Sequence, residues 1–324
     1  MFHTVGLVAA LTSVSGCDRK SGESAKSLLM TDPVVDYLSS TMVNPDTSEP
    51  PAIGATASMV LPRNVHCVED GWLMLRSDEP LSKAYGKPCD RTLLAPFAEE
   101  ARALGCTATL IANDQVLTAA HCIIGDNVNL DRIYFVFGRT IDSEFAKPKS
   151  PGEKIAVPSA HWAQATCVTA GDLAPGEVPP DWVVLQLAEY VAIPPLALAA
   201  TAPTLNSKVE MFAYPLGLPL KQISVKLTDL EGEAEWDSAS GNSGAALLDA
   251  ESAIIGVVRG NNQAAASTFG DCTEPARCQP DKCAGQPYTP VSVFSNWATF
   301  GVTQRLRYKL SPNVKPCSKN NTHE

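Results

Sequence analysis

From about residue 63 onward, short apolar runs alternate with polar stretches rich in turn formers. The runs at 107–111 (TATLI), 133–137 (IYFVF), 182–187 (WVVLQL), 209–214 (VEMFAY) and 254–258 (IIGVV) are five or six residues long and rich in β-branched and aromatic side chains. Runs of that length bounded by turn signals predict buried strands. The 25 prolines and 21 glycines are scattered without a period, which suits many short strands joined by turns and favours an all-β fold. No internal repeat of fixed period is visible. The Ala- and Pro-rich stretch 192–204 predicts a connection between two halves. Residues 291–302 carry Phe294, Trp297 and Phe300 at three-residue spacing, which predicts one short C-terminal helix. By contrast 17–62, rich in Ser, Asp, Glu, Lys and Pro, shows neither helical nor strand period and is expected to be a flexible tether.

With 324 residues, 45% of them hydrophobic, the chain can bury one large core or two modest ones. Its formal net charge of −10 repels a phosphate backbone, so nucleic acid is not an expected partner. Ten cysteines suit an exported protein with disulfides better than a reducing cytosol. Consistent with export, 5–15 is an apolar stretch of signal-peptide length, well short of the roughly 20 residues that span a bilayer. It ends in Val14-Ser15-Gly16-Cys17, which resembles the lipobox of bacterial lipoproteins. That resemblance implies a signal peptide over 1–16, a lipid on Cys17 that anchors the chain to a membrane, and a place in the cell envelope, periplasmic or outer. Ordinary secretion with Cys17 as a plain thiol is the alternative. Phe2, His3 and Thr4 supply none of the basic residues of a signal n-region, which points to a start upstream of Met1.

The chain has five histidines, His3, His66, His121, His161 and His323. His121 closes the run 116–122 (VLTAAHC), where a buried strand gives way to a turn, a rigid station for a base. His161, beside Trp162, is expected to be a surface or loop histidine. Residues 240–248 (SGNSGAALL) set Ser243 between glycines just before an apolar strand. Such a side-chain-poor turn lets a hydroxyl stand exposed while backbone N–H groups converge. A serine becomes nucleophilic only when a base takes its proton, and that base needs an acid to fix its tautomer. Asp181, at the mouth of the apolar run 182–187, is the candidate acid, and Asp172 in the preceding stretch is a weaker one.

Together, 116–122 (VLTAAHC), Asp181–Leu187 (DWVVLQL) and 241–244 (GNSG) resemble, in order and flanks, the three triad motifs of the trypsin-like serine peptidases. The resemblance spans roughly 100–300. It implies two packed six-stranded Greek-key β-barrels with a short C-terminal helix, barrel 1 over about 63–198 and barrel 2 over about 199–310, with a tail at 311–324. It implies a serine endopeptidase in which Ser243 attacks, His121 is base and then acid, Asp181 orients the imidazole, and the amides of Gly241 and Ser243 form the oxyanion hole. A disulfide between Cys106 and Cys122, bracing the histidine loop, belongs to the same resemblance. A loop of that size contributes about 3 kcal/mol. No metal or other cofactor is implied, the expected partner is a protein or peptide substrate, and a monomer is expected.

Where digestive members carry an acid that receives a freed N-terminal amine, this chain has Asn242, so activation by N-terminal cleavage is not expected. The stretches 214–221 (YPLGLPLK) and 256–260 (GVVRG) look more like the bacterial trypsin-like and glutamyl-endopeptidase-like branch. Asp237, six residues before Ser243, has the spacing of the acid that receives a P1 Arg or Lys in trypsin-type members. It could equally bond loop backbone. Val258, Arg259 and Gly260 follow or end a strand expected to flank the substrate pocket, and Arg259 could pair with Asp237 or favour an acidic side chain. Glu231, Glu233 and Glu235 alternate as the solvated face of a strand would. Cys272, Cys278 and Cys283 lack the Cys-x2-4-Cys pairs of a zinc site and are expected in disulfides, as are Cys67, Cys89, Cys167 and Cys317.

Two rival functions remain open on sequence alone. One is a protease-like binding module whose cleft recognises a partner without cutting it. The other is an esterase using the same serine, although the GxSxG elbow and Ser…Asp…His order of α/β-hydrolases are absent.

Overall fold

The computed structural model describes residues 40–42, 51–76, 100, 102–103, 105–124, 128–140, 143, 154–173, 180–205, 207, 209–236, 239–260, 267–269, 272–274 and 286–317. In chain order the elements are β1 (Ser40–Met42), the helical turn α1 (Pro51–Ala55), β2 (Thr56–Val60), β3 (Val65–Glu69) and β4 (Trp72–Arg76). Next come β5 (Gly105–Ala112), β6 (Gln115–Thr118), β7 (Tyr134–Phe137), β8 (Lys154–Pro158), β9 (Trp162–Leu173) and β10 (Asp181–Leu187). The second half holds β11 (Val209–Ala213), β12 (Lys221–Leu227), β13 (Glu233–Glu235), β14 (Ala246–Leu248) and β15 (Ile254–Val258). It ends with the hairpin β16 (Ser267–Phe269) and β17 (Cys272–Glu274), then β18 (Gln286–Pro290) and helical turns α2 (Val291–Phe294), α3 (Trp297–Phe300) and α4 (Gln304–Arg307).

β2, β5, β6, β10, β9 and β7 pair antiparallel around a closed barrel. β11, β12, β13, β18, β15 and β14 form a second, closed where β13 bridges β12 and β18. Closure removes sheet edges from both. Numbered within each barrel, both rings read 1-2-3-6-5-4. Outside the rings, β3, β4 and β8 make a small sheet and β1 pairs with β12.

The apolar runs are continuous because both faces of the strands are covered. In barrel 2, Met211, Ala213, Leu247, Ile255 and Val258 fill the interior, whereas Phe212, Tyr214, Ala246, Leu248, Ile254 and Val257 join the cluster centred on barrel 1. The period-2 pattern of a strand thus serves two cores at once. Residues 188–205 hold no strand and cross between the barrels, tied by Leu196 N–H to Leu110 O (2.9 Å) and Ala199 N–H to Ile254 O (2.9 Å).

The structure differs from the expected boundaries at both ends. Barrel 1 takes its first strand from Thr56–Val60, inside the stretch read as tether, because TASMV is buried throughout once it lies between β5 and β7. At the other end, 311–317 is no free tail. Val168 N–H bonds Lys315 O (2.9 Å), Cys317 N–H bonds Val168 O (2.8 Å), and Cys317 forms a disulfide with Cys167. The single helix expected over 291–302 is two separate turns, since Asn296 departs from helical dihedrals, and a third turn follows at Gln304–Arg307 beyond Gly301, whose φ is 67°. Phe294 and Phe300 reach Trp182 with ring centroids 5.7 and 5.4 Å away, so the aromatic spacing serves to cover barrel 1.

Between the barrels lies a buried group of charges. Lys221 Nζ sits 2.9 and 3.1 Å from the Glu100 carboxylate oxygens, with side chains 0% and 5% exposed. Arg139, also fully buried, donates through Nη1 to the carbonyls of Gly217 (3.0 Å) and Leu218 (3.2 Å). Burial lowers its pKa to about 10, an effect that Tyr214 and Glu100 oppose. Removing one member of a buried pair strands the other charge. Lys221→Met is therefore expected to cost about 3–5 kcal/mol in urea unfolding. The double variant Glu100→Gln/Lys221→Met should recover part of that loss, and equal losses in both would show that the pair does not act as a unit.

Candidate active site

β6 ends at Thr118, and the chain turns through a 3₁₀ segment at Ala120–Ile123 that carries His121. The Cys106–Cys122 disulfide ties this turn to β5. Asp181, the first residue of β10, meets His121 twice. Its Oδ2 lies 2.6 Å from His121 Nδ1, and its Oδ1 accepts the His121 backbone N–H at 2.9 Å. The two contacts fix both the ring and the turn that bears it. Asp181 is in turn held from barrel 2, where Thr289 Oγ1 on β18 accepts its N–H at 3.1 Å. The carboxylate is buried, while the imidazole is 40% exposed, an asymmetry that leaves Nε2 open to a reacting group.

Ser243 stands on the connection between β13 and β14. Gly241 and Gly244 there have φ of 99° and 85°. A Cβ on Gly241 would lie 2.4 Å from Tyr214 O, and one on Gly244 2.1 Å from Thr118 Oγ1, so both approaches require glycine. The N–H of Asn242 bonds Ala239 O (3.1 Å) and that of Gly244 bonds Val258 O (2.8 Å). Among the described residues, the alternating amides of Gly241 and Ser243 have no acceptor. Two free donors in one tight turn are what a developing oxyanion needs.

Thr107 joins this turn to barrel 1. Its N–H donates to Ser243 O (2.8 Å) and its hydroxyl to Gly241 O (2.7 Å), while Oγ1 accepts from Tyr214 N (3.1 Å). Its carbonyl takes the Thr118 hydroxyl at 2.7 Å. Behind the turn, Leu216, with a positive φ of 57°, donates its N–H to Ser240 O at 2.5 Å. Sequence reasoning passed over Thr107, Thr289 and the arginines behind Leu216, because a strand threonine carries no pattern that marks its bonding partners.

His121, Ser243, Gly241 and Gly260 line one cleft of about 700 Å³ together with Cys106 and Cys122. Among the described residues, no hydrogen bond joins His121 to the Ser243 hydroxyl, and such bonds are often long before substrate arrives. The sulfurs of Cys106 and Cys122 and the imidazole lie within 4.8 Å of one another, but sulfurs committed to a disulfide are not thiolate ligands.

Other expected residues go elsewhere. Asp172 takes the Thr303 hydroxyl (2.7 Å) and Arg305 Nη2 (2.6 Å), so it anchors the C-terminal turns. Val258, expected at the pocket wall, points into the core of barrel 2 because β15 alternates faces there. Arg259 bonds Pro287 O through its N–H, and its Nε and Nη1 are buried without partners among the described residues. Burial lowers its pKa, which the Asp181 carboxylate partly offsets. Asn242 is 1% exposed, and neither polar atom of its side chain has a partner among the described residues. Glu235 pairs with Lys226 across β12 and β13, and neither it nor Glu231, Glu233 or His161 lines the cleft. Cys67 is disulfide-bonded. Asp237, Cys17, Cys89, Cys278 and Cys283 lie outside the described residues, as does the side chain of Cys272.

No curated protein matches the chain. Solved structures similar to it include human heparin binding protein, at 14% identity over 77% of this chain and 92% of that one, with a TM-score of 0.44. The Vibrio cholerae VesB protease is 14% identical over 81% and 67%, TM-score 0.44, and a Glu endopeptidase 18% identical over 68% and 97%, TM-score 0.40. The trypsin-like peptidase domain family matches residues 106–257, a span that holds His121, Asp181 and Ser243. Two antiparallel barrels of one strand order, with these three residues at the seam between them, agree with that match: this part of the chain is a trypsin-like peptidase domain.

Proposed function

We propose that the chain is a serine endopeptidase using His121, Asp181 and Ser243, and that it needs no N-terminal cleavage to become active. The observation that carries this reading is the 2.6 Å contact between His121 Nδ1 and Asp181 in a cleft whose opposite wall presents Ser243 and two unengaged amides. In the proposed reaction His121 Nε2 removes the proton as Ser243 Oγ attacks the scissile carbonyl, and the Gly241 and Ser243 amides take the oxyanion charge. The imidazolium, stabilised by Asp181, protonates the leaving amine, and water then releases the acyl group by the same steps. Independence from cleavage is supported by the position of Asn242, which has no charge to receive an amine. The bonds from Arg102 and Arg139 to the carbonyls of 216–218 support the same reading, since they order this segment without such a charge pair.

The finer parts of the proposal rest on sequence. A P1 preference for Lys or Arg rests on the spacing of Asp237. Export rests on the apolar segment 5–15, and disulfides such as Cys106–Cys122 and Cys167–Cys317 support an oxidising compartment. Anchoring through a lipid on Cys17 rests on its lipobox-like context, and a monomer with a peptide substrate completes the reading. The missing hydrogen bond between Ser243 and His121 is the observation that favours the rival, a silent cleft that only binds.

A fluorophosphonate probe separates the two. Wild type is expected to label and Ser243→Ala not to. Well-folded wild type that stays unlabelled would favour the silent module. Gly241→Ala should lower kcat by about 10²–10³-fold, since its Cβ meets Tyr214 O and displaces an oxyanion donor. Wild-type kcat in that variant would remove the turn from the mechanism. Intact mass of the native protein is expected to show a diacylglycerol-modified N-terminal Cys17, and a mature chain starting elsewhere would end that claim.

A further inference from the structure

The cleft that holds Ser243 has a cationic end. Its described lining includes Arg63 and Arg102 and no Asp or Glu, in a protein whose acidic residues outnumber its basic ones by 35 to 25. Arg102 is only 7% exposed. Its Nε donates to Leu216 O at 2.9 Å, which fixes the plane of the guanidinium, and neither terminal nitrogen has a partner among the described residues. Arg102 is one of the residues that line the cleft. Arg63, on the 3₁₀ turn Pro62–Asn64, is exposed and likewise makes no ion pair among the described residues. The acids of this region are already committed, Glu100 to Lys221 and Asp181 to His121. A guanidinium removed from bulk water, held flat and offering two free N–H groups is the geometry that recognises a carboxylate through paired, charge-assisted hydrogen bonds.

We propose that Arg102, assisted by Arg63, forms a carboxylate-binding subsite on the leaving-group side of the scissile bond. The side follows from the chemistry. His121 must hand its proton to the leaving amine, so the departing segment lies along the wall made by the histidine loop. Arg63 and Arg102 line the cleft with Gly105, Ile124 and the Cys106–Cys122 disulfide, all on the barrel 1 side. The carboxylate can come from an Asp or Glu side chain after the cut or from the terminal carboxylate of a short substrate. This inference rests on the endopeptidase reading for the direction of the substrate, but the binding of a carboxylate in the cleft does not require turnover.

The test uses the full-length Ser243→Ala chain and fluorescent peptides followed by anisotropy. One pair of peptides differs only in Glu against Gln at the first two positions after the intended cut, and the other only in a free against an amidated C-terminus. The charged member of at least one pair is expected to bind about 10- to 100-fold more tightly than its neutral partner, as a charge-assisted pair allows. The pair that discriminates identifies the source of the carboxylate. Arg102→Gln should reduce the preference to under about 3-fold, and Arg63→Gln, at an exposed site without an ion pair among the described residues, should weaken it while leaving the melting temperature in place. Equal binding within both pairs, or an undiminished preference in both folded arginine variants, would overturn the subsite. Fluorophosphonate labelling of the chain with Ser243 intact reports the triad separately, so labelling without discrimination rejects the subsite alone, and discrimination without labelling rejects the peptidase alone.

Discussion

Two barrels that each close on themselves share no strand, so the alignment of His121 on one with Ser243 on the other depends on the few bonds that cross the seam. Thr107 carries most of that burden. Its N–H, hydroxyl and carbonyl are all engaged, toward Ser243, Gly241, Tyr214 and Thr118. Each bond alone is worth about 1 kcal/mol in stability. Their value at this place is geometric, since a shift of about 1 Å between reacting groups can cost 10²-fold in rate. The glycines at 241 and 244 follow from the same constraint, because the turn can reach Thr107, Thr118 and Tyr214 only where no Cβ intervenes.

The matching strand orders of the barrels give the site a hidden regularity. His121 stands on the connection between the third and fourth strands of barrel 1, and Ser243 on the connection between the third and fourth strands of barrel 2. The two corresponding connections therefore face each other across the seam. The third group breaks the correspondence. Asp181 opens the sixth strand of barrel 1, where Thr289 of barrel 2 fixes its backbone, and this bond ties the His121–Asp181 pair to the barrel that carries Ser243.

Much of the fold was legible because buried strands and glycine turns leave marks in the sequence. The runs at 107–111, 182–187 and 254–258 lie in β5, β10 and β15, and the Cys106–Cys122 bridge implied by family resemblance is present. What escaped notice has a common cause. β2 reads as part of a polar, aperiodic stretch, because TASMV combines small and hydroxyl-bearing residues that become core only when the barrel closes around them. The repeated strand order left no trace as a sequence period, since loops of unequal length separate equivalent strands. Thr107, Thr289 and Arg102 act through long-range bonds, and no local pattern encodes a partner 100 or more residues away. Composition likewise hid the cationic end of the cleft beneath a net charge of −10.

The straps at the two ends of the described chain cross over. β1, which precedes barrel 1 in sequence, pairs with β12 of barrel 2, and the segment after barrel 2 returns to β9 of barrel 1, where Cys317 is bonded to Cys167. The only direct link in sequence between the barrels is the strandless stretch between β10 and β11. A single cut in that stretch would leave both halves joined covalently through sulfur. The arrangement gives the cleft between the barrels tolerance to nicking at the connection that joins them, and it places that tolerance at the mercy of reducing agents.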